Sequence, residues 1–144
     1  MTPRQQLVTV IAVVAILPAL AGCRAAASEP VTKAEPAHVE HVEGSEISAV
    51  TLTARAAERL GIVTVPARAS GSGVVIPYSA VLYEADGTTW AYVQEGDLRY
   101  IRHALEIETI EGEDAMLVSG PPAGAAVVSV GATELYGTEF EIGH

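Results

Sequence analysis

The chain has few of the residues that build disulfides, metal centres and catalytic sites. Its 144 residues include one cysteine, one tryptophan and one phenylalanine, and only eight are lysine or arginine. A single cysteine excludes an intramolecular disulfide, and a structural zinc site needs several cysteines or histidines close together. The sequence also has no phosphate-binding loop, no Rossmann glycine fingerprint and no Ser-His-Asp arrangement. We therefore expect a protein that is not an enzyme and has no cofactor.

Positive charge is scarce, above all in the second half of the chain. The formal net charge is -10 at pH 7. From Val74 onward, twelve residues are acidic and only Arg99 and Arg102 are basic. Such a surface repels phosphate backbones and anionic lipid headgroups. The charge therefore argues against nucleic acid as a partner and against a polybasic patch as a membrane anchor.

The one cysteine, Cys23, follows an apolar run from Leu7 to Leu20. The run is shorter than the roughly 20 residues of a membrane span but suits a signal-peptide core, with Arg4 before it. Leu20-Ala21-Gly22-Cys23 resembles the bacterial lipobox, where the chain is cut before the cysteine and a diacylglyceryl group is added to the sulfur. We expect Cys23 to be lipidated. The alternatives are an ordinary secretory signal with a coincidental cysteine and an uncleaved anchor reaching toward Ala27.

Lipidation of Cys23 predicts a chain of three segments. Residues 1–22 would be the lipoprotein signal peptide, 23–46 a flexible tether and 47–144 a β domain. The tether is rich in alanine and glutamate, contains two prolines and one lysine, and has no aromatic residue, which is typical of an unfolded linker. Its r.m.s. reach is about 25 Å. We therefore expect an extracytoplasmic protein that is held close to the cell membrane by its lipid.

The pattern of residues 47–144 predicts a mostly β fold, a small antiparallel β-barrel or roll with one short helix. Thr53 is placed to cap a helix over Ala54–Leu60, and Gly61 to end it. Asp86-Gly87 is typical of a hairpin turn. All the aromatic residues lie beyond residue 73, so the main core is expected there. Strands are predicted at 47–52, 62–65, 74–76, 80–83, 89–93, 98–110, 115–118 and 126–130.

Two further segments have patterns of their own. Ser70-Gly71-Ser72-Gly73 is typical of a flexible joint. The segment from Glu134 to Phe140 contains three large apolar side chains, and we predict a last strand or turn that closes the barrel. The alternative for this segment is a docking edge that uses its aromatic side chains as anchors.

The candidate metal-binding and catalytic residues all have a simpler interpretation. His38 and His41 form a His-x-x-His pair, but in a solvated tether they would have no fixed geometry, so we predict no metal site. His103 follows Arg102 in a predicted strand without a neighbouring nucleophile, which favours a surface or edge position. Trp90 and Tyr92 are predicted to be core residues. An acidic group lacks the spacing of a calcium loop and is predicted to be a solvated strand face and turn: Glu106, Glu108, Glu111, Glu113 and Asp114.

Four collinear segments carry a resemblance to a known family. They are VVIPYSAV at 74–81, GTTWAYV at 87–93, SGPPAGAAVVSVG at 119–131, and the upstream stretch from Val50 to Ile62. Together they resemble periplasmic adaptor proteins, the membrane fusion proteins of RND-type and related efflux systems. The resemblance covers about residues 47–144.

The resemblance implies a shortened adaptor. Full adaptors have a biotinyl-lipoyl-like domain and usually a long helical hairpin where this chain has only Pro66 to Gly73. What remains is similar to the membrane-proximal domain, which in that family docks on the transporter. The expected function is a lipid-anchored accessory subunit that binds an RND- or ABC-type transporter and could also self-associate. The alternatives are an extracytoplasmic metal- or small-solute-binding lipoprotein and an envelope-structural module.

Overall fold

The computed structural model describes residues 35–71 and 73–141. Cys23, the predicted signal peptide and the first part of the predicted tether lie outside the described residues. The fold is mostly β, with 51% strand and 17% helix, which confirms the predicted fold class. Within the described ranges, no helix is long and apolar enough to cross a membrane.

The described residues form ten strands and two α-helices. The helices are α1 (Ala54–Leu60) and α2 (Ala132–Glu139), and a single 3-10 turn covers Tyr78–Ala80. The strands are β1 (Ala37–His41), β2 (Ser48–Leu52), β3 (Val63–Pro66), β4 (Arg68–Ser70), β5 (Gly73–Pro77), β6 (Leu82–Tyr83), β7 (Thr89–Gln94), β8 (Arg99–Glu111), β9 (Asp114–Ser119) and β10 (Ala126–Val130).

The strands form a nearly closed antiparallel barrel. Their order is β3-β10-β7-β8-β9-β5-β4, with β2 paired to β8, β1 to β2, and β6 to β7. The two ends of this order, β3 and β4, are separated in the chain by Ala67 alone. The Ala67 N–H donates to the Ala125 carbonyl at 2.8 Å, and the Gly124 N–H donates to the Ala67 carbonyl at 2.8 Å. One continuous run of chain therefore closes the barrel.

The predicted flexible joint at 70–73 is instead the connection of a hairpin. Ser70 of β4 pairs with Gly73 of β5, and β5 then pairs with β9. A Cβ on Gly73 would lie 2.5 Å from the Leu117 carbonyl oxygen, so only glycine allows this close approach of the two strands. The joint was mispredicted because a Gly/Ser-rich stretch has the same composition in a linker and in a tight turn.

Two apolar clusters lie on opposite sides of the barrel wall. Ala91 and Val93 of β7 point into the barrel with Ile76 and Leu117, whereas Tyr92 points outward, as expected from the alternation of a strand. The outer cluster fills the space between the barrel, β2 and the two helices. Its largest members are buried completely or almost completely: Tyr92, Tyr100, Leu135, Val50 and Val128.

The helix α1 was predicted correctly. The Thr53 hydroxyl accepts a hydrogen bond from the Ala56 N–H at 3.2 Å, and Gly61 ends the helix with φ 64°. These local signals need no tertiary contact to operate.

The C-terminal segment is a helix, not the predicted strand or turn. In α2, Ala132, Leu135 and Glu139 are spaced at helical intervals and are all buried against the barrel. The helical pattern was hidden because the third member of the buried face is a carboxylate. The structure therefore has two helices where one was predicted.

The predicted tether is too long at its C-terminal end. Residues 37–41 form β1, which pairs with β2 from Ala37↔Leu52 to His41↔Ser48. Ala37 and Val39 are half-buried against the outer cluster, whereas His38 and Glu40 are exposed. This short alternation was overlooked because the surrounding composition is that of a linker.

Candidate functional site

A buried charge cluster joins α2 to the outer wall of the barrel. Glu139, the last residue of α2, and Arg102, in the middle of β8, are 8% and 7% exposed. The Arg102 Nε donates to Glu139 Oε1 at 3.0 Å, and its Nη1 pairs with a carboxylate oxygen of Glu84. The Tyr92 hydroxyl donates to the other oxygen of Glu139 at 2.5 Å. The backbone N–H of Ser48, which begins β2, donates to Glu139 Oε1 at 3.1 Å.

Two aromatic rings cover the guanidinium of Arg102. Its Cζ lies 4.6 Å from the ring centroid of Trp90 and 4.8 Å from that of Phe140, both within the range of cation–π attraction. The Trp90 indole N–H donates to the Thr88 hydroxyl at 2.9 Å. Trp90 is thus half-buried beside Arg102, whereas Tyr92 is a fully buried core residue as predicted.

The contacts of this cluster hold α2 against the barrel. Both oxygens of Glu139 have donors, and the part of the chain that the structure describes contains no buried side-chain nitrogen or oxygen without a hydrogen-bond partner. The carboxylate of Glu139 is therefore fully used in holding α2 to the barrel. The cluster connects α2 to β2, β7 and β8 at one point.

The buried Tyr92 hydroxyl makes the free energy of unfolding decrease at alkaline pH. Burial and the hydrogen bond to Glu139 raise the pKa of Tyr92 far above its ordinary value of about 10. Above that pH the unfolded chain loses this proton while the folded protein keeps it, so stability falls as pH rises, by up to about 1.4 kcal/mol per pH unit. We expect Tyr92→Phe to show a shallower loss of unfolding free energy between pH 10 and 11 than the wild type. Equal slopes in the two proteins would contradict this expectation. Burial also raises the pKa of Tyr100, but Tyr100 contributes equally to the pH dependence of both proteins.

A second feature is an open groove between β1, α1 and α2. Its volume is about 810 Å³. One side consists of the consecutive residues 35–39, and the other side includes Arg59 and Leu60 at the end of α1 and Gly137 and Thr138 in α2. Leu52 and Ala56 of the outer cluster contribute apolar surface to it.

The candidate histidines are not brought together. His38 and His41 lie three residues apart in β1, and successive strand side chains point to opposite faces, so the two imidazoles are on opposite sides of β1. His103 lies in β8, where its Nε2 is 2.7 Å from Glu95 Oε1. The placement of His38 and His41 removes the geometric basis for a shared metal ion.

The acidic group is a strand face and a turn. Glu106, Glu108 and Glu111 are exposed on β8, and Asp114 at the start of β9 pairs with Arg68 at 2.7 Å. Within residues 35–71 and 73–141 there is no cluster of three histidine, cysteine, aspartate or glutamate side chains able to hold a metal. Cys23, the predicted lipidation site, lies outside the described residues.

Comparisons with known proteins add no relative. No family model, no curated protein and no solved structure matches the chain. The functional interpretation therefore depends on the residues, the fold and the resemblance of the four segments.

Sequence reasoning missed both the charge cluster and the groove. One signal of the cluster was available: Arg102 follows Tyr100 by two residues, so a cation occupies the apolar face of β8. A charge in that position calls for a buried partner. Glu139, 37 residues away, could not be chosen as that partner without the helix α2.

Proposed function

We propose that the protein is a lipid-anchored accessory subunit that binds a membrane transporter of the RND or ABC type and has no catalytic activity. Cys23 would hold it at the membrane, and the β domain would make the contact. The proposal assigns the protein to a shortened form of the periplasmic adaptors.

The arrangement of the resembling segments is the observation that carries the proposal. VVIPYSAV contains all of β5 except its first residue, GTTWAYV all of β7 except its last residue, and SGPPAGAAVVSVG the whole of β10. All three strands belong to one nearly closed barrel, and the upstream segment supplies β2 and α1 on its outer side. Segments that resemble one family in chain order thus belong to a single structural unit, as a shared domain requires.

The absence of a hairpin module is consistent with this assignment. Ser70 and Gly73 pair directly, so the barrel closes where full adaptors have their lipoyl and helical modules. The entropy lost when a loop closes depends only weakly on the length of the loop, so a short connection can replace a long one. We therefore expect the protein to contact a transporter without building a channel across the periplasm.

The alternative of a metal-binding lipoprotein has less support. It depended on His38 and His41, which β1 places on opposite faces. A single exposed histidine gives only weak and unselective metal binding.

The test is recovery of the tagged full-length chain from detergent-solubilised membranes of its own cells. We expect the wild type to be acylated and to co-purify with a polytopic transporter. The matched control is Cys23→Ala, which should lose the acyl label and recover about tenfold or more less transporter, because the anchor no longer concentrates the domain at the bilayer. A wild-type preparation that contains no transporter would contradict the proposal.

A further inference from the structure

The outer edge of β1 has backbone groups that no other described residue pairs with. Thr53 donates its N–H to the Pro36 carbonyl and Val42 donates to the Ile47 carbonyl, each at 3.0 Å, which fixes the phase of the β1–β2 ladder. Bonded and non-bonded pairs alternate in an antiparallel ladder, so His38 and Glu40 make the bonds to β2. The N–H and C=O groups of the three odd-numbered residues point the other way: Ala37, Val39 and His41.

No described strand covers this edge. Among residues 35–71 and 73–141, β1 pairs with β2 alone. A row of unpaired N–H and C=O groups is a template for another strand, and native proteins usually block such an edge with a covering element or a charge. On β1, the side chains of His38, Glu40 and His41 are exposed.

The open groove runs beside the same edge. Its lining includes residues 35–39 without a gap. Three of these residues, Ala37, His38 and Val39, belong to β1. Side chains of a strand alternate between two faces, so a groove that touches all three reaches the edge of the strand. Half-buried Val39 and Leu60 give it apolar surface. A strand added to β1 would therefore place every second side chain in a preformed groove.

Gly137 lies on the α2 side of the groove. A glycine in the interior of a helix costs about 1 kcal/mol relative to alanine. Its lack of a side chain leaves room for another backbone to approach the helix closely. This is the approach that a segment lying between β1 and α2 would need.

The charges at the groove favour a basic occupant. Glu35, Glu134 and Glu141 are at its rim, against Arg59. None of these four makes an ion pair with another residue in the described part of the chain. A segment with lysine or arginine side chains would complement this excess of carboxylates.

The position of the groove in the chain places the occupant at the membrane. Glu35 is twelve residues after Cys23. If Cys23 is lipidated, the groove lies at most about 40 Å from the anchored sulfur even with the intervening chain fully extended. A segment of an integral membrane protein is within that range.

We infer that β1 binds an extended, basic segment of the transporter by strand addition. The segment pairs with the backbone groups of Ala37, Val39 and His41, inserts alternate apolar side chains into the groove, and presents its cations to the rim carboxylates. This mode of recognition derives affinity from main-chain hydrogen bonds and specificity from alternate side chains. The inference rests on the proposed function and names the surface that performs it.

The test compares Val39→Pro with Val39→Ala in the full-length chain. Proline at 39 removes an outward-pointing N–H and leaves the hydrogen bonds of His38 and Glu40 to β2 intact. An edge strand tolerates proline at such a position, where the N–H does not bond to the neighbouring strand. Alanine removes side-chain volume but keeps the N–H. In the same membrane pull-down we expect Val39→Pro to recover about tenfold less transporter than Val39→Ala, the effect of about one hydrogen bond. Circular dichroism melting checks that both variants are folded.

A charge-reversal pair keeps the test valid if the proline variant does not fold. Glu134→Lys with Glu141→Lys reverses two rim charges, and Glu106→Lys with Glu108→Lys makes the same change on the exposed face of β8. We expect the first double variant to recover about threefold or more less transporter than the second. Equal recovery would overturn the inference.

A photoreactive residue at His41 identifies the occupant. The expected product is a cross-link to an extracytoplasmic segment of the transporter that has alternating apolar residues and lysine or arginine. A cross-link to a second copy of this chain would overturn the inference. Transporter recovery by the wild type and by a folded Val39→Pro alike would overturn it and leave the proposed function intact, whereas no recovery by the wild type would overturn both.

Discussion

Replacing Arg102 with methionine is expected to lower the free energy of unfolding by about 3–5 kcal/mol. The Arg102 side chain is 8% exposed and that of its partner Glu139 is 2% exposed. Methionine preserves much of the packing between Trp90 and Phe140 but leaves the Glu139 carboxylate buried without its cation. Glu84, at 20% exposure, can regain water more easily. Most of the loss should therefore come from Glu139.

Urea denaturation of the variant measures this loss. The control is the double variant Arg102→Met with Glu139→Gln, which removes the buried charge of Glu139. The amide oxygen of the glutamine can take the place of Oε1 and accept from the Ser48 N–H, and its NH2 group can donate to the Tyr92 hydroxyl. We expect the double variant to regain at least half of the stability lost. A single variant within about 1 kcal/mol of the wild type would show that Glu139 is hydrated and that the cluster is not closed.

The barrel interior should be nearly as sensitive, and Ile76→Ala is expected to cost about 2–5 kcal/mol. Ile76 is 0% exposed and lies in β5, opposite Ala115 of β9. Both the lost transfer free energy and the cavity contribute, because the surrounding strands are hydrogen-bonded in a nearly closed barrel and can collapse little.

Val118→Ala on the neighbouring strand is the matched control. Val118 is 61% exposed, so its truncation should cost less than about 1 kcal/mol. Urea denaturation compares the two variants by their midpoints, provided that the dependence of unfolding free energy on urea concentration is the same in both. Similar losses for both would contradict the assignment of Ile76 to the barrel interior.

Local signals explain why much of the fold could be predicted. Three examples are the cap at Thr53, the Asp86-Gly87 turn and the alternation of Leu105, Ile107 and Thr109. Each of these signals involves only a few neighbouring residues. The strand pattern was therefore readable. The tendency of aromatic side chains to be buried correctly placed Tyr92 in the core, whereas Trp90, also predicted to be a core residue, is half-buried.

The remaining features depend on contacts between distant parts of the chain. α2 is held by Leu135 in the outer cluster and by Glu139 at Arg102, and neither contact has a local signature. β1 is a strand because β2 lies beside it, not because its own five residues favour one strongly. The groove exists only where these two elements meet α1, so no sequence pattern announces it.

The pairing of Ser70 with Gly73 has a consequence for how such a protein can change in evolution. The two residues are neighbours across β4 and β5, so any module whose own ends lie close together could be spliced between them while the barrel keeps its strand order. Gly73 would have to remain glycine because of the nearby Leu117 carbonyl. The β4–β5 hairpin is thus a position at which a projecting module can be gained or lost by a single insertion or deletion.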